Sequence, residues 1–246
     1  MTLDQYISAG ASSAAFLAAL ATFLTVWQIA KQRQATYRPN IVVKRARVRT
    51  LKGKDGDDIV APLLKWRRTE ETEINDNQSH IMNDAYPLLL VNIGLGAATN
   101  VSVFWEFPMV SFVAATNLLA ANCGYSERIE FKNGLLSIDK PQMTSIWRNQ
   151  QQHHFDYLVP ASIDKEPTEL DLPHAYILAV AMRMSHFLRD FKNEEREAPQ
   201  MPPLQLVLQF SDIAGKRHHM VYEIDFHWYM ATPYAFEAEL IPTRLS

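Results

Sequence analysis

The stretch LQLVLQFSDIAGKRHHMVYEIDFHW, residues 204–228, carries the strongest fold signal in this chain. Large apolar residues recur there at every second position: Leu204, Leu206, Leu208, Phe210, Met220, Tyr222, Ile224, Phe226 and Trp228. A period of two puts them on one face of a β-strand, and the turn formers Asp212 and Gly215 interrupt the pattern once. The stretch therefore predicts an antiparallel hairpin with one dry face and one wet face.

The rest of the chain is also predicted to be mainly β. Strand-period patterns outnumber helix-period patterns across the 246 residues, and no internal repeat or low-complexity tract is visible. The charges are mixed with a formal net charge of -3, which gives no reason to expect nucleic acid as a partner. One helix is predicted near 174–192, where Tyr176, Val180, Met184 and Phe187 share a helical face. We expect this helix to pack on the sheet, with a membrane-surface helix as the alternative.

Two further apolar segments, 87–93 and 100–107, predict a second hairpin. Its connection contains a pair of glycines, which also occurs in dinucleotide-binding loops. Here the third glycine is missing and the connection leads into a strand instead of a helix, so nucleotide binding is not expected. The residues that we expect to shape this hairpin are Asn92, Gly94, Gly96 and Asn100.

The second hairpin resembles a known fold element. The residues Asn92, Gly94, Gly96, Ala98, Asn100 and Val101 match the N-x-G-x-G-x-A-x-N-V hairpin of bacterial immunoglobulin-like β-sandwich domains of the CARDB type. The resemblance implies an antiparallel immunoglobulin-like β-sandwich with one or two accessory helices, and a role in adhesion or scaffolding. The layout of the whole chain also resembles small bacterial single-pass membrane proteins, a similarity that implies no particular chemistry.

The N-terminal region predicts a transmembrane helix. Residues 7–30 are almost all apolar or small, and no charged side chain lies between Asp4 and Lys31. At about 1.5 Å per residue, a helix of this length crosses a hydrocarbon core of about 30 Å. Signal peptides begin with a basic region and have a shorter apolar stretch, so we expect a retained anchor. The predicted order is a short extracytoplasmic N-terminus (1–6), the transmembrane helix (7–30), a basic exit segment (31–40) and a β-sandwich (41–246) with a charged excursion (52–84).

Charge next to the span predicts its orientation. The basic residues that follow it closely are Lys31, Arg33, Arg38, Lys44, Arg45, Arg47 and Arg49. The positive-inside rule then places the β domain in the cytoplasm and the anchor in the inner membrane. The single cysteine, Cys123, agrees with a reducing compartment. A periplasmic domain is the competing topology, and it would favour a scaffold of the cell envelope.

Two stripes of residues are candidate contact surfaces. Small residues at every fourth position of the span allow a second helix to approach closely: Gly10, Ala14, Ala18 and Thr22. Arginines after the span are expected to contact anionic lipid headgroups: Arg38, Arg45, Arg47 and Arg49. The alternative for the arginines is a solvated strand face with acidic partners nearby.

One cluster has side chains suited to catalysis. His219, Glu223, Asp225 and His227 share the wet face of a single predicted strand, where neighbours are about 6.6 Å apart. Zinc sites usually draw ligands from several elements, and the usual nucleophile and phosphate-binding motifs are missing from the sequence. We therefore expect a solvated face, no enzyme, no metal and no cofactor.

These observations favour a membrane-anchored recognition, sensor or scaffold module. Its expected partners are the lipid bilayer, a second copy through the transmembrane helix, and an unidentified protein. One alternative is a membrane-disrupting effector of an anti-phage or toxin system that oligomerises through the same helix. A second alternative is a metal-dependent hydrolase using the His219 to His227 face.

Overall fold

The computed structural model describes residues 3–51, 65–68, 86–139, 143–147, 153–189, 199–232 and 235–245. The three helices within these ranges are α1 (Leu3–Thr36), α2 (Met109–Asn122) and α3 (His174–Arg189). The strands are β1 (Ile41–Val43), β2 (Ala46–Leu51), β3 (Lys65–Arg68), β4 (Pro87–Asn92), β5 (Ala98–Glu106), β6 (Ile129–Lys132), β7 (Leu135–Ile138), β8 (Met143–Ile146), β9 (His153–Leu158), β10 (Thr168–Asp171), β11 (Leu204–Asp212), β12 (Arg217–Thr232) and β13 (Ala235–Arg244).

The largest sheet has seven strands in the order β3-β2-β13-β12-β11-β5-β9, and every pairing in it is antiparallel. The hairpin predicted at 204–228 is confirmed as β11 and β12, with Leu208 opposite Met220. Burial alternates from His218 to His227 on β12, and along β11 except at Val207, which is also buried. The mainly β, antiparallel prediction is confirmed, whereas the immunoglobulin-like relationship stays a prediction.

The prediction of a second hairpin, formed by residues 87–93 and 100–107, is wrong. β4 is the central strand of a separate three-stranded sheet, β1-β4-β10, and β5 pairs with β11 and β9 in the seven-stranded sheet. The connection 93–97 therefore passes from one sheet to the other. The apolar pattern predicted both strands correctly, but it could not predict their partners, because pairing depends on residues far away in the sequence.

A third sheet, β6-β7-β8, contains a short hairpin whose turn is formed by Asn133 and Gly134, an Asn-Gly pair that favours such a turn. Asn133 has a φ of 52° and Gly134 a φ of 75°, the left-handed conformation that this turn requires. The helix α2 packs beside this sheet, and the Asn117 side chain both donates to and accepts from the backbone of Ile129. No element is predicted at α2 from the residue pattern.

The helix predicted near 174–192 exists as α3, but its environment differs from the prediction. Buried residues occur all around it, including Ala175, Tyr176, Ile177 and Leu178 in a single turn, and Arg183 is half-buried. Because a buried helix has no free apolar face, the alternative of a membrane-surface helix is wrong. Buried side chains of α2, α3 and all three sheets form one continuous core.

The predicted excursion 52–84 is only partly described by the structure. It contains the strand β3, which extends the seven-stranded sheet by pairing with β2. The remainder of that range lies outside the described residues.

Candidate functional site at the junction of helix and β domain

The helix α1 is long and apolar enough to cross a membrane. It has 34 residues, and the stretch Gly10–Arg33 has a mean hydropathy of 1.7 with none of it buried against the rest of the protein. The hydroxyl groups of Thr22 and Thr25 donate to the carbonyls of Ala18 and Ala21, at 2.9 and 2.8 Å. These polar groups are therefore satisfied within the helix, as a hydrocarbon environment requires.

The predicted exit segment 31–40 is helical as far as Thr36, and the chain then meets the β domain directly. The key residue at this meeting point is Asn92, which is 3% exposed at the end of β4. Its Oδ1 accepts hydrogen bonds from the backbone amides of Asn40 and Gly94, each at 3.1 Å. Its Nδ2 donates to the carbonyls of Gly96 and Leu158, at 2.8 and 3.0 Å. One buried amide thus joins the exit segment, the 93–97 connection and the end of β9.

Gly94 and Gly96 allow the exit segment to touch this connection. A Cβ atom at Gly94 would lie 2.6 Å from the amide nitrogen of Asn40. A Cβ atom at Gly96 would lie 2.7 Å from the carbonyl carbon of Tyr37, and closer still to its oxygen. Both glycines are needed here because two backbones pass each other in contact, and neither has a positive φ.

The fourth residue of the predicted set, Asn100, has a different role. It has a φ of 51° and lies where the pairing of β5 with β11 shifts register. Asparagine tolerates this left-handed conformation better than most residues, so the residue suits a β-bulge. Asn100 therefore shapes β5 and does not contact the junction by any hydrogen bond among the described residues.

Two residues on β12 and β13 also form hydrogen bonds to Asn40 and Ile41, where the exit segment meets β1. Arg244 at the end of β13 donates to Oδ1 of Asn40 at 3.0 Å. The hydroxyl of Tyr222 on β12 donates to the carbonyl of Ile41. Burial raises the pKa of Tyr222 despite the nearby charge of Arg244, so the phenol stays protonated as a donor. No pattern in the sequence points to Asn40 or Arg244.

A buried, hydrogen-bonded pair of an aspartate and a histidine lies at the same end of the seven-stranded sheet. Asp212, which is opposite Ala98, bonds to Nε2 of His218 at 2.9 Å and accepts the backbone amides of Ala214 and Lys216. Burial by itself raises the pKa of Asp212, but these hydrogen bonds lower it below its usual value overall. His218 also stacks on Phe210, with ring centroids 5.3 Å apart. The pair therefore fixes the β11–β12 turn.

The predicted arginine stripe follows β2 away from the junction. Arg38 lies in the exit segment and is exposed, as are Arg45 and Arg47. In the pairing of β2 with β13, Arg47 is opposite Glu239 and Arg49 is opposite Glu237. Opposite charges across a strand pair stabilise a sheet, which supports the solvated-face alternative. Contact of these arginines with lipid stays a prediction.

The predicted histidine and carboxylate face lies on the outer side of β12. His219, Asp225 and His227 are exposed, and Glu223 is half-buried opposite Gln205. Among the described residues, no three His, Cys, Asp or Glu side chains are grouped as a metal site would require. A shallow depression of about 480 Å³ beside His219 is lined by Asn100, Ser102 and Arg217 among others. No arrangement of these groups indicates a reaction.

The outer face of α2 is a second candidate surface. Val110, Ala114 and Leu118 follow each other at every fourth position and are all exposed, with Val110 at 70% and Leu118 at 63%. α2 follows the end of β5 at Glu106, whereas the junction lies near the beginning of β5 at Ala98. The first turn of α2 and the junction therefore lie at opposite ends of β5.

Comparison of the chain with protein-family models, with curated proteins and with solved structures finds no match. The fold and the junction define a class of protein. In this class, an antiparallel β domain is attached without a spacer to a helix of membrane-spanning length.

Proposed function

We propose that this chain is a single-pass membrane protein whose cytoplasmic β domain recognises a partner and transmits that event to the transmembrane helix. The observation that carries the proposal is the junction around Asn92. A simple tether needs only a flexible linker, in which the domain rotates freely. Here the last turn of α1 is followed at once by backbone contacts to Gly94 and Gly96 and by hydrogen bonds of Asn40.

Rigid coupling is what a transmitting protein requires. A change in the position of the domain is passed to a helix only where the elements between them have few alternative conformations. The junction meets this condition because Asn92 uses all four of its amide hydrogen bonds on three different segments. The basic residues after the span support the cytoplasmic orientation.

The outer face of α2 is the proposed recognition surface. Contiguous exposed apolar side chains on a helix often mark protein interaction sites. A photo-crosslinking residue in place of Leu118 should give one discrete adduct in cells, and the same residue in place of the exposed Glu130 should give none. Equal labelling at both positions would contradict a defined partner surface.

Topology is tested with a membrane-impermeant thiol reagent on Ser126→Cys in a Cys123→Ala background, in intact bacterial cells. We expect protection until the inner membrane is permeabilised. Labelling after opening the outer membrane alone would overturn the cytoplasmic assignment.

Coupling is tested on the same labelled protein in lipid nanodiscs. The anisotropy of a dye at Ser126→Cys should decay with the slow rotation of the whole particle. A Gly-Ser insertion between Thr36 and Tyr37 should add a faster decay. Fast decay in the protein without the insertion would contradict rigid coupling.

The effector alternative has a separate readout. If expression arrests growth and Ala14→Leu with Ala18→Leu relieves the arrest, membrane damage through the helix is favoured over recognition.

A further inference from the structure

The connections at the junction end of the β domain each present a large apolar side chain to solvent. The tips of these connections are Ile93 and Leu95 between β4 and β5, Ile163 between β9 and β10, and Ile213 between β11 and β12. Their exposed fractions are 58%, 52%, 76% and 65%, in that order. Turns that face water usually carry polar residues at their tips. Apolar residues at the tips of three connections at one end of the domain therefore indicate a surface that contacts something other than water.

The strand register shows that these connections share one end of the domain. Ala98, which follows the 93–97 connection, is opposite both Asp212 and Leu158. Asp212 precedes the turn that carries Ile213, and Leu158 precedes the connection that carries Ile163. That last connection is also tied to the junction, because the amide of Ala161 donates to the carbonyl of Asn92 at 2.7 Å.

The end of α1 lies at this same end of the domain. The backbone of Tyr37, one residue after α1, touches Gly96 in the connection between Ile93 and Ala98. Tyr37 is itself half exposed. The apolar tips and Tyr37 therefore lie at the end of the domain from which the helix leaves. We call these residues the apical rim: Tyr37, Ile93, Leu95, Ile163 and Ile213.

We propose that the apical rim inserts into the interfacial layer of the membrane that α1 spans, and so holds the β domain against the lipid. This proposal rests on the proposed function in one respect, the transmembrane placement of α1. From Lys31, the first charged residue after the span, to Tyr37 the helix rises about 9 Å. The headgroup layer on each side of the bilayer is about 5–8 Å thick. The end of α1 therefore lies within a few ångströms of that layer.

The chemistry of the rim favours apolar insertion over attraction between charges. Its connections carry Arg38, Lys165 and Lys216, but Asp164 and Glu166 lie among them. Because the charges on these connections are nearly balanced, the rim itself gains little from anionic lipid, whereas each inserted Ile or Leu side chain loses contact with water. We therefore expect the rim to contact zwitterionic and anionic bilayers alike.

The test uses nitroxide labels on the full chain in proteoliposomes of zwitterionic lipid, in a Cys123→Ala background. Labels replace Ile163 and Ile213 on the rim, and their collision rates with oxygen and with a water-soluble nickel chelate report depth in the bilayer. Ile146→Cys is the matched control, because Ile146 is an exposed isoleucine on β8. Its neighbour Ser145 bonds to His174, which begins α3 at the opposite end of the domain.

We expect nickel accessibility to be several-fold lower at both rim positions than at Ile146. Equal accessibility at all three positions would overturn the rim proposal. A fourth label, at Leu20→Cys in α1, separates the two proposals. If Leu20 reports hydrocarbon while the rim reports water, only the rim proposal fails. If Leu20 also reports water, the transmembrane placement fails, and the rim proposal fails with it.

Discussion

The backbone amide of Asn40 donates to Oδ1 of Asn92 across 3.1 Å, and this bond joins the segment that leaves the apolar helix to the connection between two sheets. The two residues are 52 positions apart in the sequence. Because the amide of Asn92 is buried and fully bonded, the exit segment is tied to the domain core. We therefore expect a movement of the domain to move the end of the helix.

Replacing Asn92 with alanine should destabilise the junction strongly. The change leaves buried backbone groups of Gly96 and Leu158 without the donor they have now, and the amides of Asn40 and Gly94 without their acceptor. We expect the free energy of unfolding to fall by about 2–4 kcal/mol. Urea unfolding in detergent micelles, followed by tryptophan fluorescence, measures this loss. Asn122→Ala, at the exposed end of α2, is the control, and an equal loss in both variants would contradict the role of Asn92.

Gly96→Ala should separate the exit segment from the domain. The added methyl group would overlap the backbone of Tyr37, and relieving such overlap typically costs about 1–3 kcal/mol. We expect faster proteolytic cleavage near residues 37–40 and a lower unfolding temperature. Gly10→Ala is the matched control, because a Cβ atom there meets nothing within 4 Å. Unchanged cleavage in Gly96→Ala would show that the contact is dispensable.

The pair of Asp212 and His218 should make stability depend on pH. The pKa of Asp212 is lower in the folded state than the unfolded value of about 3.9. The contribution of Asp212 to the free energy of unfolding is therefore complete at pH values above its pKa in the unfolded state. This contribution is lost as the pH falls through the lower pKa of the folded state. The unfolding temperature of Asp212→Asn should lie below that of the unsubstituted protein at neutral pH, and the difference should shrink in strong acid. Asp139→Asn, at an exposed site, is the control. A constant difference for Asp212→Asn would argue against a contribution from the hydrogen bonds of Asp212.

The small-residue face of α1 predicts self-association in lipid. Ala14→Leu combined with Ala18→Leu adds bulk where a second helix would approach, so energy transfer between labelled copies in proteoliposomes should decrease. Ser12→Leu adds similar bulk on the opposite face of the helix and should leave the transfer unchanged. An equal decrease in both proteins would indicate a general effect on insertion instead of a specific contact.

The sequence by itself determined the features that depend on local periodicity. The β11–β12 hairpin, the strands β4 and β5, the Asn133 turn and the apolar helix α1 were all predictable, because alternation, turn chemistry and hydropathy act between residues close in the chain. The sequence motif also points to Asn92, Gly94 and Gly96. It predicts a hairpin there, whereas these residues lie where the chain passes from one sheet to another.

Only the tertiary structure decided which strands pair and what the glycines touch. β4 and β5 look like two arms of one hairpin, yet long-range pairing places them in different sheets. The helix α3 looks amphipathic, yet it is buried on all sides because the third sheet and α2 belong to the same core. The junction depends on Asn40 meeting Asn92 and Arg244, the latter 204 residues away. Contacts of this kind leave no periodic trace in the sequence, because packing of the whole chain brings the partners together.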